Sequence, residues 1–128
     1  MEADISGSQR KVIAHSVRPL RSGLGAQGIT VRRGRAQPFT VTRSWSAPAG
    51  FYGEQWFLVE PDTRRVVFEG PLQMALLRGL QAPTRLTDEV RTSFKVEPGS
   101  YKLVFALDGL QGGEVDVQVL EAPSEEAA

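Results

Sequence analysis

The chain has 128 residues, no cysteine, one histidine and equal numbers of acidic and basic residues, so its formal net charge is zero. A chain of this length is expected to form one domain around one apolar core. The missing cysteines exclude disulfide bonds, thiolate metal sites and a cysteine nucleophile.

Residues 1–28 are predicted to form an N-terminal arm and linker. The stretch "RKVIAHSVRP" is compatible with one outer strand at residues 10–17, whereas "LRSGLGAQG" is rich in glycine and has no periodicity, as linkers do. No apolar run near Met1 is as long as the roughly 7 residues of a secretory leader, and none elsewhere approaches the ~18 of a membrane span. With Met1 as the natural start, we expect synthesis in the cytoplasm and no membrane span, with a virion or a large complex as one destination.

Charge is distributed unevenly along the chain. The first fifty residues carry eight basic and two acidic side chains, and the remainder carries seven basic and thirteen acidic ones. Four bases of the arm, Arg10, Lys11, Arg18 and Arg21, are therefore predicted to bind an acidic partner, either a protein subunit or a second copy. The alternative is that the two halves interleave and their surface charges mix.

From Ile29 onward the sequence consists of short alternating apolar and polar runs separated by turn residues. The runs are "GITVRRG", "QPFTVTRSW", "EQWFLVEP", "RRVVFEG", "DEVRTSFKVEP", "YKLVFAL" and "EVDVQVL". This pattern predicts an all-β fold, a single antiparallel β-sandwich of about seven to eight short strands over residues 29–121. Residues 71–83, "PLQMALLRGLQAP", are predicted to be a long crossover loop, and residues 122–128 a short acidic tail.

Two clusters are candidate binding sites. "RRGR" places Arg32, Arg33 and Arg35 at a hairpin tip, where they are either solvated or paired with the carboxylates of a partner. Nucleic-acid binding is not expected, because no groove-entering helix or aromatic series accompanies them.

The second cluster is the aromatic segment "SWSAPAGFYGEQW". Alternation assigns Trp45 and Trp56 to the core, whereas Phe51 and Tyr52 are predicted to lie on a loop and to contact a ligand or subunit. If rings of this segment were exposed and coplanar, they would form a stacking platform for a carbohydrate.

The sequence offers few candidate catalytic residues. A lone His15 in a basic segment has no adjacent nucleophile and acid, and the adjacent carboxylates Asp88 with Glu89, or Glu114 with Asp116, are typical of solvated strand faces. No calcium-loop or phosphate-loop spacing is present. We therefore expect no enzymatic activity, no cofactor and no metal.

The stretch from residue 29 to residue 107 resembles immunoglobulin-like sandwiches, and within them GOLD-type domains. The matching residues are Gly34, Pro61, Val67, Gly70, Phe94, Pro98, Gly99, Tyr101, Leu103 and Phe105. The chain differs from the membrane-anchored members in lacking a leader, cysteines and a following span. The resemblance implies a fold, and a fold alone does not fix a function.

These observations favour a non-enzymatic structural or accessory subunit of a larger assembly, for example a virion decoration or tail-associated protein, or a small subunit of a cellular complex. A carbohydrate-binding module that uses the aromatic loop Trp45–Trp56 is the alternative.

Overall fold

A computed structural model describes residues 9–21 and 26–123. This part of the chain contains ten β-strands and no helix. The strands are β1 (Lys11–Pro19), β2 (Ile29–Arg32), β3 (Arg35–Ala36), β4 (Phe39–Ser46), β5 (Gly50–Val59), β6 (Val66–Glu69), β7 (Gln73–Leu77), β8 (Thr84–Val90), β9 (Gly99–Leu107) and β10 (Leu110–Glu121). The predicted all-β class is confirmed.

The strands form two sheets. One has the order β1-β4-β8, and the other has the order β3-β2-β10-β9-β5-β6 with β7 also paired to β5. All pairs are antiparallel except β2 with β10, where Ile29 lies opposite Val119 in a parallel ladder. The predicted purely antiparallel arrangement is wrong at this pair, because the chain enters β2 by crossing from the first sheet instead of through a hairpin.

Gly28 makes this crossing sterically feasible. Its backbone N–H donates to the carbonyl oxygen of Val17 in β1, at 2.7 Å, and its φ is 89°. A Cβ at this position would lie 2.4 Å from the carbonyl oxygen of Gln118 in β10. Only glycine combines that conformation with so close an approach of two backbones.

The apolar core lies between the two sheets. It includes Phe39, Val41 and Trp45 of β4, Trp56 and Leu58 of β5, Leu103, Phe105 and Leu107 of β9, and Val117 and Val119 of β10. The rings of Phe39 and Trp56, one from each sheet, meet edge to face with their centroids 6.2 Å apart. The alternation predicted for β9 and β10 is confirmed, since their inward positions are buried and their outward ones more exposed.

The predicted crossover loop at residues 71–83 is wrong in its first half. Residues 73–77 form β7, which pairs with residues 50–54 of β5. β6 pairs with residues 57–59 of the same strand, so β6 and β7 together run along the length of β5, interrupted at residues 70–72. The apolar residues of the predicted loop alternate across a strand, and within this segment only residues 78–83 connect one sheet to the other.

The strand expected within "DEVRTSFKVEP" begins and ends earlier in the chain than predicted. β8 covers residues 84–90, and beyond it the chain forms only an isolated bridge between Lys95 and Arg35. Phe94 and Val96 are nevertheless buried, as their apolar character suggests. Side-chain burial at this end of the core therefore does not require a regular strand.

Residues 11–19, which the sequence left open as an outer strand within the arm, form β1. The strand pairs with β4 from Lys11 opposite Ser46 to Pro19 opposite Phe39. Val17 points into the core and is buried. The rest of the predicted arm and the predicted acidic tail fall largely on residues 1–8, 22–25 and 124–128, which lie outside the described residues.

Replacing Phe105 with alanine tests the assigned core. Phe105 is fully buried, so Phe105→Ala is expected to lower the free energy of unfolding by about 3 to 5 kcal/mol. Val104→Ala, which shortens an outward neighbour on the same strand, is the matched control and should cost clearly less. Both values are measured by denaturant titration, and an equal cost for the two variants would contradict the assigned face of β9.

Deleting residues 1–27 tests the contribution of β1. The deletion removes the partner of one edge of β4 together with the buried side chain of Val17, so we expect a lower thermal midpoint. Circular dichroism at increasing temperature measures it. A midpoint equal to that of the full chain would show that β1 adds no stability to the domain.

Candidate protein-docking surface

β7 presents an apolar row to solvent. Its alternation puts Met74 and Leu76 on the outer side of the sheet, Leu72 directly precedes the strand, and all three side chains are exposed. The inward positions of the same segment are Gln73, Ala75 and Leu77. An edge strand with a wet outer face normally carries polar residues there, so this row needs an explanation.

β5 extends the row by one aromatic ring. Phe51 lies directly opposite Leu76 in the β5–β7 pairing, and Gly53 lies opposite Met74. A Cβ at Gly53 would be 3.6 Å from Cδ1 of Leu72, so the leucine packs over the glycine backbone. We call the surface formed by Phe51, Leu72, Met74 and Leu76 the outer strip.

The outer strip contains four of the nine large apolar side chains that are exposed in the described part of the chain. The four side chains are 56–70% exposed. Single exposed apolar residues are ordinary on protein surfaces, whereas adjacent ones on neighbouring strands mark an interaction site or an aggregation hazard. This is the candidate functional surface.

The structure separates the predicted aromatic site residues. The prediction that Phe51 and Tyr52 lie on a loop is wrong, because both are in β5. Phe51 points outward and belongs to the outer strip, whereas Tyr52 is buried and faces the core. Its hydroxyl donates to the carbonyl oxygen of Pro48, 2.7 Å away, and the guanidinium of Arg10 lies 5.1 Å from its ring centroid. Trp45 and Trp56 are fully buried, so this segment offers a carbohydrate one exposed ring, that of Phe51.

The predicted basic residues do not lie on β5 or β7, the strands that carry the outer strip. Lys11, Arg18 and Arg21 are exposed on β1 and just beyond it. Arg33 and Gly34, with φ of 56° and 76°, form the tight turn between β2 and β3. That hairpin is at one end of the larger sheet, and β6 is at the other.

Within the "RRGR" cluster, two arginines make internal hydrogen bonds. Arg35 donates through Nε to Oγ of Ser93 at 2.8 Å and through Nη2 to its carbonyl oxygen at 3.2 Å. Arg32 donates to the carbonyl oxygen of Pro123 at 3.5 Å. The cluster is the hairpin tip that the sequence predicted, and part of its hydrogen-bonding capacity serves the fold.

A charge cluster that sequence reasoning missed lies between the sheets. Arg43 of β4 is fully buried and donates through Nε and Nη2 to the two carboxylate oxygens of Glu54 in β5, at 2.7 and 2.5 Å. Its Nη1 lies 3.0 Å from Oδ2 of Asp88 in β8. One guanidinium therefore bridges three strands of two sheets.

Neutral donors complete the cluster. Nε1 of Trp45 donates to Glu54 at 2.9 Å, Nε1 of Trp56 donates to Asp88 at 2.8 Å, and Nε2 of Gln73 lies 3.3 Å from an oxygen of each carboxylate. Hydrogen bonds to their oxygens offset the free-energy cost of burying these carboxylates away from water. The carboxylates hold the sheets in register, and each of their contacts is to a neighbouring side chain of the core.

The signal for this cluster was present in the alternation. Arg43 occupies the inward position between Val41 and Trp45, and Glu54 occupies the inward position before Trp56. Opposite charges at two inward positions of neighbouring apolar strands indicate a buried pair, because neither charge is stable in a core alone.

The carboxylate pairs named from the sequence do not converge on a cleft. Asp88 faces the core, whereas Glu89 faces outward and pairs with Arg91. Arg64, whose Nη2 lies 2.7 Å from Glu114, lowers the pKa of that carboxyl, so it stays ionised where a general acid needs a proton.

The other candidate catalytic residues named from the sequence are Asp116 and His15. Asp116 pairs with Lys102 at 2.5 Å, and this contact raises the pKa of the lysine. His15 is exposed on β1. Within residues 9–21 and 26–123 no group of three histidines, aspartates or glutamates is placed to hold a metal, and no helix is long and apolar enough to cross a membrane.

Neither a family model nor a curated protein sequence matches the chain. Among solved structures, it is similar to part of the alkylpurine DNA glycosylase AlkC of Pseudomonas fluorescens bound to DNA containing an abasic site analog, with 18% identity and a TM-score of 0.44 over 90% of this chain and 31% of that one. It is also similar to part of a beta-glucosidase from Listeria innocua, with 14% identity and a TM-score of 0.43 over 84% of this chain and 16% of that one. At these scores, and over so small a part of either protein, the likenesses carry no conclusion about chemistry.

Removing the buried guanidinium tests the charge cluster. Arg43→Ala leaves Glu54 and Asp88 without their cation, so it is expected to lower the free energy of unfolding by about 3 to 5 kcal/mol. Arg91→Ala, which breaks the exposed pair with Glu89, is the control and should cost about 0.5 kcal/mol or less. Denaturant titration measures both, and similar costs would mean that the cluster does not hold the sheets together.

Proposed function

We propose that the chain is a non-enzymatic structural or accessory subunit that binds partner proteins through the outer strip. The observation that carries this proposal is the exposure of Phe51, Leu72, Met74 and Leu76 on one continuous surface. Phe51, Met74 and Leu76 lie on two hydrogen-bonded strands and Leu72 directly precedes one of them, which makes the surface rigid, and a rigid apolar surface loses little conformational entropy on binding.

The energetics favour a protein as the ligand class. Burying one such side chain fully is worth about 1.5 to 3 kcal/mol, so four of them supply most of the driving force for a modest protein interface. Aromatic residues and methionine are enriched in protein interfaces, and the strip contains Phe51 and Met74. A sugar would need several exposed rings, and the described aromatic segment offers one.

The exposed bases form the second part of the proposal. Lys11, Arg18, Arg21, Arg33 and Arg35 are exposed and, although they lie apart from the outer strip, supply positive charge that steers an acidic partner. Charges outside the centre of an interface chiefly change association rates and their salt dependence, whereas the apolar surface supplies affinity. Nucleic acid is a less suitable partner, because in the part of the chain that the structure describes the exposed basic side chains are not accompanied by a row of exposed aromatic rings.

The fold supports a non-enzymatic role through its proposed family. We propose that the two facing sheets form a single sandwich of the immunoglobulin-like kind. The order β1-β4-β8 in one sheet and β10-β9-β5 in the other corresponds to the A-B-E and G-F-C arrangement of that fold. Such sandwiches are common scaffolds for binding surfaces, and no internal cleft is required for that task.

The native mass of the protein tests the proposed function. Purified from its own cells under mild conditions, the 14.0 kDa chain is expected in a complex heavier than one copy. Phe51→Ser combined with Met74→Ser should release it as a single chain, because both changes remove exposed apolar area without touching the core. Native mass spectrometry gives the mass and composition of the complex.

Ile13→Ser combined with Leu120→Ser is the matched control. These residues are also large, apolar and exposed, and they lie on β1 and β10 outside the strip. The control variant should retain the complex. A single-chain mass for the unmodified protein, or equal loss in both double variants, would contradict a docking role for the strip.

A further inference from the structure

We propose that the cleft between β1 and β10 binds a short extended segment of a partner protein, which pairs as an additional strand with the free edge of β10. The inference goes beyond the proposed function, because neither strand carries the outer strip. It depends on two features, namely a strand edge that lacks a partner over most of its length and a part of the core beside it that the described residues leave open.

The free edge belongs to β10, which is 12 residues long. On one side β10 pairs with β9 from Leu110 to Val119, whereas on the other side its ladder with β2 covers only residues 119–121. Within residues 9–21 and 26–123 no further strand pairs with residues 110–117 on that second side. One row of backbone donors and acceptors therefore faces away from the sheet, and such a row is a template for an incoming strand.

The ladder with β2 identifies which backbone groups form this row. The N–H of Ala122, just beyond β10, donates to the carbonyl oxygen of Val31 in β2. Successive residues of a strand direct their N–H and C=O groups to opposite sides, and the register of β10 is regular from Gly113 onward. Glu114 and Asp116 therefore direct their backbone groups to the same side as Ala122, at a level that β2 does not reach.

β1 forms the opposite wall of the cleft. A cavity of about 350 Å³ lies between residues 15–17 of β1 and residues 116–118 of β10. Gly28 closes one end, because its N–H donates to the carbonyl oxygen of Val17. At the other end a Cβ at Gly113 would lie 3.3 Å from Cβ of Val12. Between these ends β1 has four residues, so the cleft is as long as about four residues of extended chain, at roughly 3.3 Å each.

The core is incompletely covered beside the cleft. His15 lies directly opposite the buried Arg43, and opposed residues share a face of the sheet, so His15 occupies an inward position and is nevertheless exposed. Val12 and Val115 pack against the core but are only half-buried, whereas Val117, further along β10, is buried. A strand in the cleft would place alternate side chains over these groups.

The walls of the cleft define the chemistry of the partner segment. Its inward side chains need to be apolar to pack on the valines, and its backbone needs free N–H groups to pair with β10. Its outward side chains need no charge, because Glu114 and Asp116 already pair with Arg64 and Lys102. A segment that alternates valine with threonine and contains no proline meets these requirements.

Hydrogen exchange of the backbone amides, measured by NMR on the purified full chain, tests the free edge. The amides of Glu114 and Asp116 should exchange about tenfold or more faster than those of Val115 and Val117, whose N–H groups face β9. Slow exchange at Glu114 and Asp116 would overturn the inference, because the edge would already be paired. If deletion of residues 1–8 abolished that protection, the chain's own N-terminal residues would be the occupant.

The synthetic peptide acetyl-Thr-Val-Thr-Val-Thr-amide tests the cleft itself. Because main-chain hydrogen bonds supply the affinity in strand addition, it should slow exchange at Glu114 and Asp116 several-fold and shift the amide resonances of His15 and Val17. The same peptide with its three central amide nitrogens methylated is the control and should do neither. No effect, or an equal effect of the two peptides, would overturn the inference.

Two variants at one position separate the backbone from the side chain. Asp116→Pro and Asp116→Ala both lose the ion pair with Lys102, but only proline removes the N–H, and that N–H faces away from β9, so both variants should fold. Asp116→Pro should lose peptide binding and Asp116→Ala should keep it, and equal binding by the two would contradict strand addition. Phe51→Ser combined with Met74→Ser should bind the peptide like the original chain, so the cleft and the outer strip are tested separately.

Discussion

The guanidinium of Arg43 is the contact on which the arrangement of the two sheets depends. Apolar packing pulls the sheets together but has no direction, and it tolerates sliding of one sheet over the other. A bidentate pair with Glu54 fixes both the distance and the rotation of the two planes. The contact with Asp88 fixes the position of β8. The charged cluster therefore sets how the two sheets are placed, and the apolar side chains fill the space between them.

This arrangement also explains the orientation of both tryptophans. Each indole N–H donates to a carboxylate of the cluster, so each ring has one allowed orientation in the core. The ring of Trp56 in turn contacts Gly70, where a Cβ would come within 2.4 Å of it. Gly70 directly follows the end of β6 at Glu69, so the ring that the buried cluster orients lies against the start of the interruption between β6 and β7.

The sequence predicted the strands correctly where apolar and polar residues alternate with a clear period of two. The two strands of the β9–β10 hairpin have clean alternation in "YKLVFAL" and "EVDVQVL" and were predicted, although β10 begins earlier than the second run, at Leu110. The connecting residues Asp108 and Gly109 have φ values of 50° and 80°, those of a tight hairpin turn. β7 was missed because its outward residues are as apolar as its inward ones, and alternation is invisible when both faces carry leucine. The same feature that hid the strand makes it a candidate docking surface.

Other parts of the site required the tertiary structure. Phe51 and Tyr52 are neighbours in sequence and both were predicted to bind a partner, but the strand period sends one outward and the other into the core. The pairing of Arg43, Glu54 and Asp88 joins residues from three strands, and inward charges in the sequence do not reveal which strands will face each other. Phe51 reaches the outer strip only because β7 lies beside β5, and that pairing was not predicted.

The parallel ladder between β2 and β10 has a consequence for biosynthesis. Ile29 and Val119 are neighbours in space but are separated by most of the chain, and β10 lies between β2 and β9 in the larger sheet. During translation β2 therefore emerges from the ribosome long before the strand that joins it to the rest of its sheet. Until then the nascent chain carries unpaired strands with apolar faces, and pairings over such long separations also form slowly. The topology thus leaves β2 without its partner strand until nearly the whole chain has been synthesised.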